Sequence, residues 1–269
     1  MKTDQKTGIL YQQWDAPSPR AVFLLVHGLG GHSDRWEFLA QFLLQNGISS
    51  YAIDLKGFGE TPDLKGHIES LRIYFDDIRN LCEMIHHEHP QAKVYILGES
   101  LGGLIAFLLV TLEPELVNGL ICISPVFKSS LEFSFFTIVK ILFSFLFYPQ
   151  KQFHVPFTAQ MCTRDTEYQK VMDREVKEHR LATAKLLVNT LFAQLRAGFI
   201  KDTLEIPTLF LVAGKDFLVD AQTSISVFKS LKTQDKTIIE YPKMLHALSI
   251  DLGREKVFAD IVRWVQARL

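Results

Sequence analysis

Val94 to Leu97 is a short apolar run that passes through Gly98-Glu99-Ser100-Leu101-Gly102-Gly103 into a second apolar run of helical character. No other stretch constrains the chain as tightly. A turn squeezed between a strand and a helix forces its central residue toward sparsely populated backbone angles, so its neighbours must be small. Gly98, Gly102 and Gly103 supply that room, and Ser100 is expected to project its hydroxyl above the sheet edge. The helix behind it aims free N–H groups and the positive end of its dipole at the place where an oxyanion forms during acyl transfer. A mere packing turn could carry the same glycines; the strand before and the helix after favour a nucleophile.

A serine hydroxyl is a poor nucleophile at neutral pH and needs a histidine base oriented by a carboxylate. Thr208 to Ala213 reads as a compact strand running into Gly214-Lys215-Asp216, which sets Asp216 at a strand's carboxyl end, where active-site groups of open α/β sheets gather. Thr237 to Tyr241 reads as a last short strand, followed by a loop, Pro242 to His246, before the terminal helix. Asp216 is therefore the expected orienting acid and His246 the expected base. Asp220 competes with Asp216, but its place before Ala221-Gln222-Thr223 reads as a helix N-cap. His86, His87 and His89 sit at a polar helix end, and His32, His67, His154 and His179 lack the strand-to-loop setting. The order Ser100, Asp216, His246 is that of α/β-hydrolases and differs from the two protease orders with the same roles.

Leu101, next to the nucleophile, offers one oxyanion donor through its backbone N–H. The second is expected from Leu29, because the strand Ala21 to Val26 ends in His27-Gly28-Leu29-Gly30-Gly31, where glycines let the backbone approach a substrate. A helix from about Ser33 follows, with Ser33 or Asp34 as its expected N-cap. Asp54 also follows a strand, but its motif runs on into a glycine turn and reads as loop structure.

These segments, with Ile53-Asp54-Leu55-Lys56-Gly57-Phe58-Gly59-Glu60-Thr61, resemble in order and over nearly the whole chain the signatures of α/β-hydrolases. Within that superfamily the chain is most similar to the monoacylglycerol lipase and lysophospholipase branch. The resemblance implies a mostly parallel sheet flanked by helices, with a helical cap inserted after the sixth strand. It implies a carboxylic ester hydrolase working through an acyl-enzyme on Ser100, with Asp216, His246 and the amides of Leu29 and Leu101 in their family roles. It implies no metal and no organic cofactor. The third motif departs from the usual Asp-x-x-Gly-His-Gly-x-Ser, with Phe58 and Thr61 at two places, and serine at the elbow argues against the dehalogenase and epoxide hydrolase branches, whose nucleophile is aspartate.

Strands are expected near 21–27, 48–53, 93–97, 119–123, 207–213 and 237–241, with an entry strand within 8–14. Helices are expected near 34–46, 68–88, 101–112, 221–232 and 254–268, and such alternation implies a parallel sheet covered on both faces. Between Pro125 and Ile206 the rhythm fails. Residues 126–203 are expected to form the cap, over a core of 1–125 and 204–269. Leu131 to Tyr148 carries six phenylalanines broken only by Glu132 and Lys140. Its central charge and its soluble flanks argue against a membrane crossing. It reads instead as a buried cap helix, or as one that lines an acyl tunnel with part of its face and meets a lipid surface with the rest, Phe143 and Phe147 being the expected substrate contacts. Thr163 to Phe199 reads as a charged, solvated outer face.

The remaining composition sets limits. At 269 residues and 48% hydrophobic content the chain can bury a full core unaided. A net charge of −1 gives no reason to expect nucleic acid as a partner. Cys82, Cys122 and Cys162 form neither a disulfide framework nor a metal cluster and suit a reducing compartment. The polar residues 1–19 lack the apolar core of a secretory signal, so the expectation is a cytoplasmic enzyme with a lipid-like ester substrate and peripheral membrane contact through the cap. An acyltransferase or an aminopeptidase would use the same three side chains, and a noncatalytic binding protein could keep the scaffold.

Overall fold

The computed structural model describes residues 1–269. In chain order the elements are β1 (Lys2–Thr3), β2 (Leu10–Trp14), β3 (Ala21–Val26), α1 (Glu37–Gln45), β4 (Ser49–Ile53), α2 (Leu71–Glu88), β5 (Lys93–Glu99), α3 (Leu101–Leu112) and β6 (Gly119–Ile123). There follow α4 (Phe135–Phe147), β7 (Gln152–His154), α5 (Ala159–Cys162), α6 (Thr166–Arg174), β8 (Leu181–Thr183) and α7 (Ala184–Ile200). The chain then returns to the sheet through β9 (Thr208–Ala213), α8 (Ala221–Ser230), β10 (Lys236–Tyr241) and α9 (Arg254–Gln266).

Eight strands form one sheet in the order β1-β2-β4-β3-β5-β6-β9-β10. The pairs β1–β2 and β2–β4 are antiparallel and the other five parallel. Its central strands are apolar throughout because both faces are covered. Along β3, Val22, Leu24 and Val26 enter the core beneath α2, α3 and α8, while Ala21, Phe23 and Leu25 enter the core beneath α1 and α9. The period of two divides one strand between two cores. Helix α3 is apolar on nearly every side, as a helix buried between the sheet and the inserted segment must be.

This is the α/β-hydrolase fold, with the insertion after the sixth strand. The six strands β3, β4, β5, β6, β9 and β10 lie within two residues of their expected ends. One local expectation fails here. The turn before α1 is a 3-10 helix, Ser33–Trp36, whose N-cap is His32 without a side-chain bond, so neither Ser33 nor Asp34 caps it. Asp34 pairs with Lys177 instead, at 2.7 Å.

The insertion is not wholly helical. A ribbon of β7 and β8, antiparallel, links its two long helices. Its later part is not a solvated face either, since α7 buries Ala184, Leu186, Val188, Ala193 and Ala197, packing against α3 and α4. No helix of the chain is long and apolar enough to cross a membrane.

Two glycines separate crowding from open space. A Cβ at Gly102 would run into the carbonyl oxygens of Val26 and His27, whereas one at Gly198, on the exposed side of α7, meets nothing within 4 Å. Gly102→Ala is expected to cost about 1–3 kcal/mol or more. Gly198→Ala is expected to gain about 0.5–1 kcal/mol. Urea unfolding midpoints of the two variants check both signs.

Candidate active site

Ser100 joins β5 to α3 with φ 57° and ψ −116°, a conformation L-residues rarely adopt. Three backbone bonds hold it there: its N–H donates to Ile123 O at 2.9 Å, and its carbonyl accepts from Leu104 and Val126 at 3.1 Å each. Gly98 and Gly102 are sterically required, because a Cβ on Gly98 would strike the backbone of Gly102 and one on Gly102 the end of β3. Gly28 is needed as well, its would-be Cβ lying 2.9 Å from Ser100 Cβ. The loop after β3 therefore presses directly on the elbow.

His246 and Asp216 occupy neighbouring loops after β10 and β9. These loops are tied by Gly214 N–H to Tyr241 O and Lys215 N–H to Met244 O, both at 3.0 Å. His246 Nδ1 lies 2.8 Å from Asp216 Oδ2, and both side chains are almost fully buried. The other carboxylate oxygen of Asp216 accepts the N–H groups of Leu218 at 2.8 Å and Val219 at 3.0 Å. Asp216 is thereby fixed as an acceptor, so Nδ1 is the protonated ring nitrogen and Nε2 is left to receive a proton. Burial alone would depress the His246 pKa, but the charge and hydrogen bond of Asp216 outweigh it, with Glu99 adding to them, and the net shift is upward. Ser100 and His246 line the same cavity. The serine hydroxyl is not bonded to the ring in this rotamer, and such bonds often tighten only around a substrate. Asp220 caps α8 by accepting from Gln222 and Thr223, and takes no part in the pair.

Asp251 seats the histidine loop. It is fully buried and accepts from Leu245 N at 2.8 Å, Arg164 N at 2.7 Å and Arg164 Nε at 2.9 Å. Ala247 N–H also donates to Cys162 O, at 3.0 Å. The base's loop is thus held from within the inserted segment.

The loop after β3 is braced by its own histidine. His27 Nε2 accepts from Leu55 N at 3.0 Å and Nδ1 faces Gly28 O at 2.8 Å, an arrangement that suits the neutral ring. Burial pushes its pKa down to about 4. The same loop is propped by Asp54, which accepts from Ser33 N at 2.7 Å and Glu60 N at 2.8 Å. Thr61 Oγ1, at the place where the family pattern has serine, accepts from Gly57 N at 3.0 Å. Leu29 and Leu101 both line the cavity, and neither of their N–H groups has an acceptor within the protein.

The cavity holds about 370 Å³, and 17 of its 25 lining residues are hydrophobic. Ile138, Ile141 and Leu142 enter it from α4, and Leu187, Val188 and Leu191 from α7. Phe143 and Phe147, expected as substrate contacts, do not line it. They pack against each other outside, rings tilted and centroids 4.7 Å apart, because positions 138, 141 and 142 form the inward stripe of the helix and 143 and 147 fall beside it. Sequence reasoning missed Arg35 and Glu99, which also line the cavity, and Glu178, which pairs with Arg35 at 3.3 Å. Burial raises the pKa of Glu99, against the opposing pull of Arg35 and His246. The acidic side chain of Glu99, set within an otherwise small and apolar turn, was the available signal.

The strained serine, the buried histidine–carboxylate pair and the apolar cavity on this scaffold define a lipase- or esterase-type serine hydrolase. The chain belongs to the hydrolase family described as serine aminopeptidase, S33, whose model matches residues 17–253. Among curated relatives, human monoglyceride lipase is 26% identical over 260 residues, covering 93% of this chain and 84% of that one. The Bacillus subtilis phospholipase YtpA is 24% identical over 251 residues, covering 91% and 95%. Among solved structures, the monoacylglycerol lipase of Paleococcus ferrophilus superposes with a TM-score of 0.89 at 25% identity, over 97% of this chain and 99% of that one. A soluble variant of the Saccharomyces cerevisiae monoglyceride lipase, in complex with a substrate analog, gives 0.88 at 19% identity over 98% and 93%, a likeness of fold.

Asp251→Asn leaves Arg164 without its buried anionic partner and loosens the loop that carries His246. The expected cost is about 1–3 kcal/mol of stability, from the buried N–H groups left with a poorer acceptor, read by thermal unfolding.

Proposed function

We propose that the protein hydrolyses carboxylic esters of long acyl chains, with monoacylglycerols and lysophospholipids as the substrate class, through an acyl-enzyme on Ser100. The observation that carries this reading is the meeting of Ser100 and the His246–Asp216 pair at the floor of one apolar cavity. Ser100 Oγ attacks the ester carbonyl while His246 Nε2 takes its proton. The N–H groups of Leu29 and Leu101 receive the negative oxygen, and Asp216 stabilises the imidazolium. The imidazolium then protonates the departing alcohol, and water, deprotonated by the same ring, releases the fatty acid.

In this reading residues 126–203 act as a lid over a core of 1–125 and 204–269. The inner faces of α4 and α7 hold the acyl chain and exclude water. Their outer faces meet a lipid surface: Phe136 is 76% exposed, Leu146 71% and Phe199 83%, large apolar side chains left open on both helices. Each methylene moved from water into lipid contributes about 0.8 kcal/mol. The family description brings a second reading, an aminopeptidase, and the buried carboxylate of Glu99 beside Ser100 is the feature that favours it.

A panel of oleoylglycerol, oleoyl lysolipids, short aryl esters and aminoacyl arylamides separates these readings. Long-chain esters are expected to lead, and Ser100→Ala is expected to abolish both turnover and fluorophosphonate labelling. Labelling elsewhere, or faster cleavage of the arylamides, contradicts the proposal. Ile138→Ser with Leu142→Ser is expected to impair oleoyl esters more than acetyl esters; equal losses contradict the acyl-channel role of α4.

The base must be neutral to act. Because the folded pKa of His246 is raised, kcat/KM is expected to fall as pH drops through a midpoint above the ordinary value of 6.5. Asp216→Asn removes the charge that raises it, so burial prevails, the acid limb moves to lower pH, and kcat drops by about 10⁴-fold. A pH–rate profile of both proteins checks the direction of the shift.

A further inference from the structure

The polar end of the cavity is lined by one carboxyl group, Glu99, and one guanidinium, Arg35, and a second carboxyl group, Glu178, lies on the guanidinium. Glu99, the last residue of β5, is buried there beside Ser100. Ser249 donates to both of its oxygens, N–H to Oε1 at 3.3 Å and Oγ–H to Oε2 at 3.0 Å, so the carboxylate is an acceptor on each side. No ion pair joins it. Arg35, the guanidinium lining the cavity, directs Nη2 to Glu178 at 3.3 Å and to Met172 Sδ at 3.4 Å, and its buried Nε–H has no acceptor. Glu178 is itself buried, its side chain only 4% exposed. Arg35 is therefore paired with Glu178 and not with Glu99, while the carboxylate of Asp216 is bound to His246.

An incoming group meets this arrangement unequally. An alcohol can donate its O–H to a spare lone pair of Glu99, an acceptor that Ser249 alone leaves open. A phosphate brings a second anion next to a buried carboxylate whose nearby guanidinium is already engaged, and in a dry pocket like charges repel strongly. We infer that Glu99 is a specificity-determining residue that admits an uncharged polyol leaving group beside Ser100 and turns away an anionic one. The inference rests on the ester-hydrolase reading above, and narrows its substrate class to neutral acylglycerols over acylglycerol phosphates.

The matched pair 1-oleoylglycerol and 1-oleoylglycerol 3-phosphate, differing only in the phosphate, tests it in micelles of a neutral detergent, where surface charge does not bias access. Wild-type protein is expected to favour the neutral ester by more than about tenfold in kcat/KM, and Glu99→Gln to narrow that ratio by about tenfold. The ratio is taken on one protein, so a smaller folded fraction in the variant cancels. Wild type that hydrolyses the two equally overturns the inference without any variant, as does a variant with an unchanged ratio. Preference for alanyl or prolyl arylamides over both esters overturns it too, since Glu99 would then receive an ammonium group. Failure to hydrolyse any ester, short aryl esters included, overturns the hydrolase reading itself and the selection with it.

Discussion

The left-handed backbone at Ser100 is the constraint from which the rest of the site follows. A residue at φ 57° costs free energy on its own and persists only where its surroundings over-determine it. Here β6 supplies an acceptor for its N–H, α3 and the loop after β6 supply donors for its carbonyl, and β3 closes against Gly102. Each of these contacts requires the parallel sheet to be in register, because Gly98 must lie beside both Val26 and Cys122. Strand pairing thus places the nucleophile, and the same pairing delivers the loops after β9 and β10 to the same edge.

Charge is buried around this edge in three ways. His27 is kept neutral, a donor on one nitrogen and an acceptor on the other, and serves as a brace for the loop that carries Leu29. His246 has the opposite environment, with an immobilised carboxylate at 2.8 Å that favours its protonated form. In the cluster of Arg35, Glu99 and Glu178 only Arg35 and Glu178 are paired. It spans the core and the inserted segment, so whatever binds between them meets those charges.

The fold was legible because its determinants are local. Uninterrupted apolar strands such as Ala21 to Val26, and the glycines around Ser100, leave few alternatives for a parallel sheet with a nucleophile turn. Asp216 and Asp220 could be told apart from the sequence, since Asp220 precedes a helix start and Asp216 ends a strand, and Asp216 is the one that lies beside His246. The inserted segment was read less well. Its helices depend on what they pack against, so Phe143 and Phe147 could not be assigned to an inner or outer face before the partners of α4 were known. The β7–β8 ribbon is too short to show a period of its own. Arg35, Glu99 and Glu178 are far apart along the chain, and only tertiary proximity makes them a cluster.

The central claim is that Ser100 carries the acyl group between attack and release. Acid-quenching the protein during turnover of an oleoyl aryl ester, followed by peptide mass spectrometry, tests it directly. The account predicts an oleoyl adduct on the peptide containing Ser100, formed and lost in step with turnover. Sustained hydrolysis with no adduct at Ser100, or with the adduct on another side chain, would contradict it.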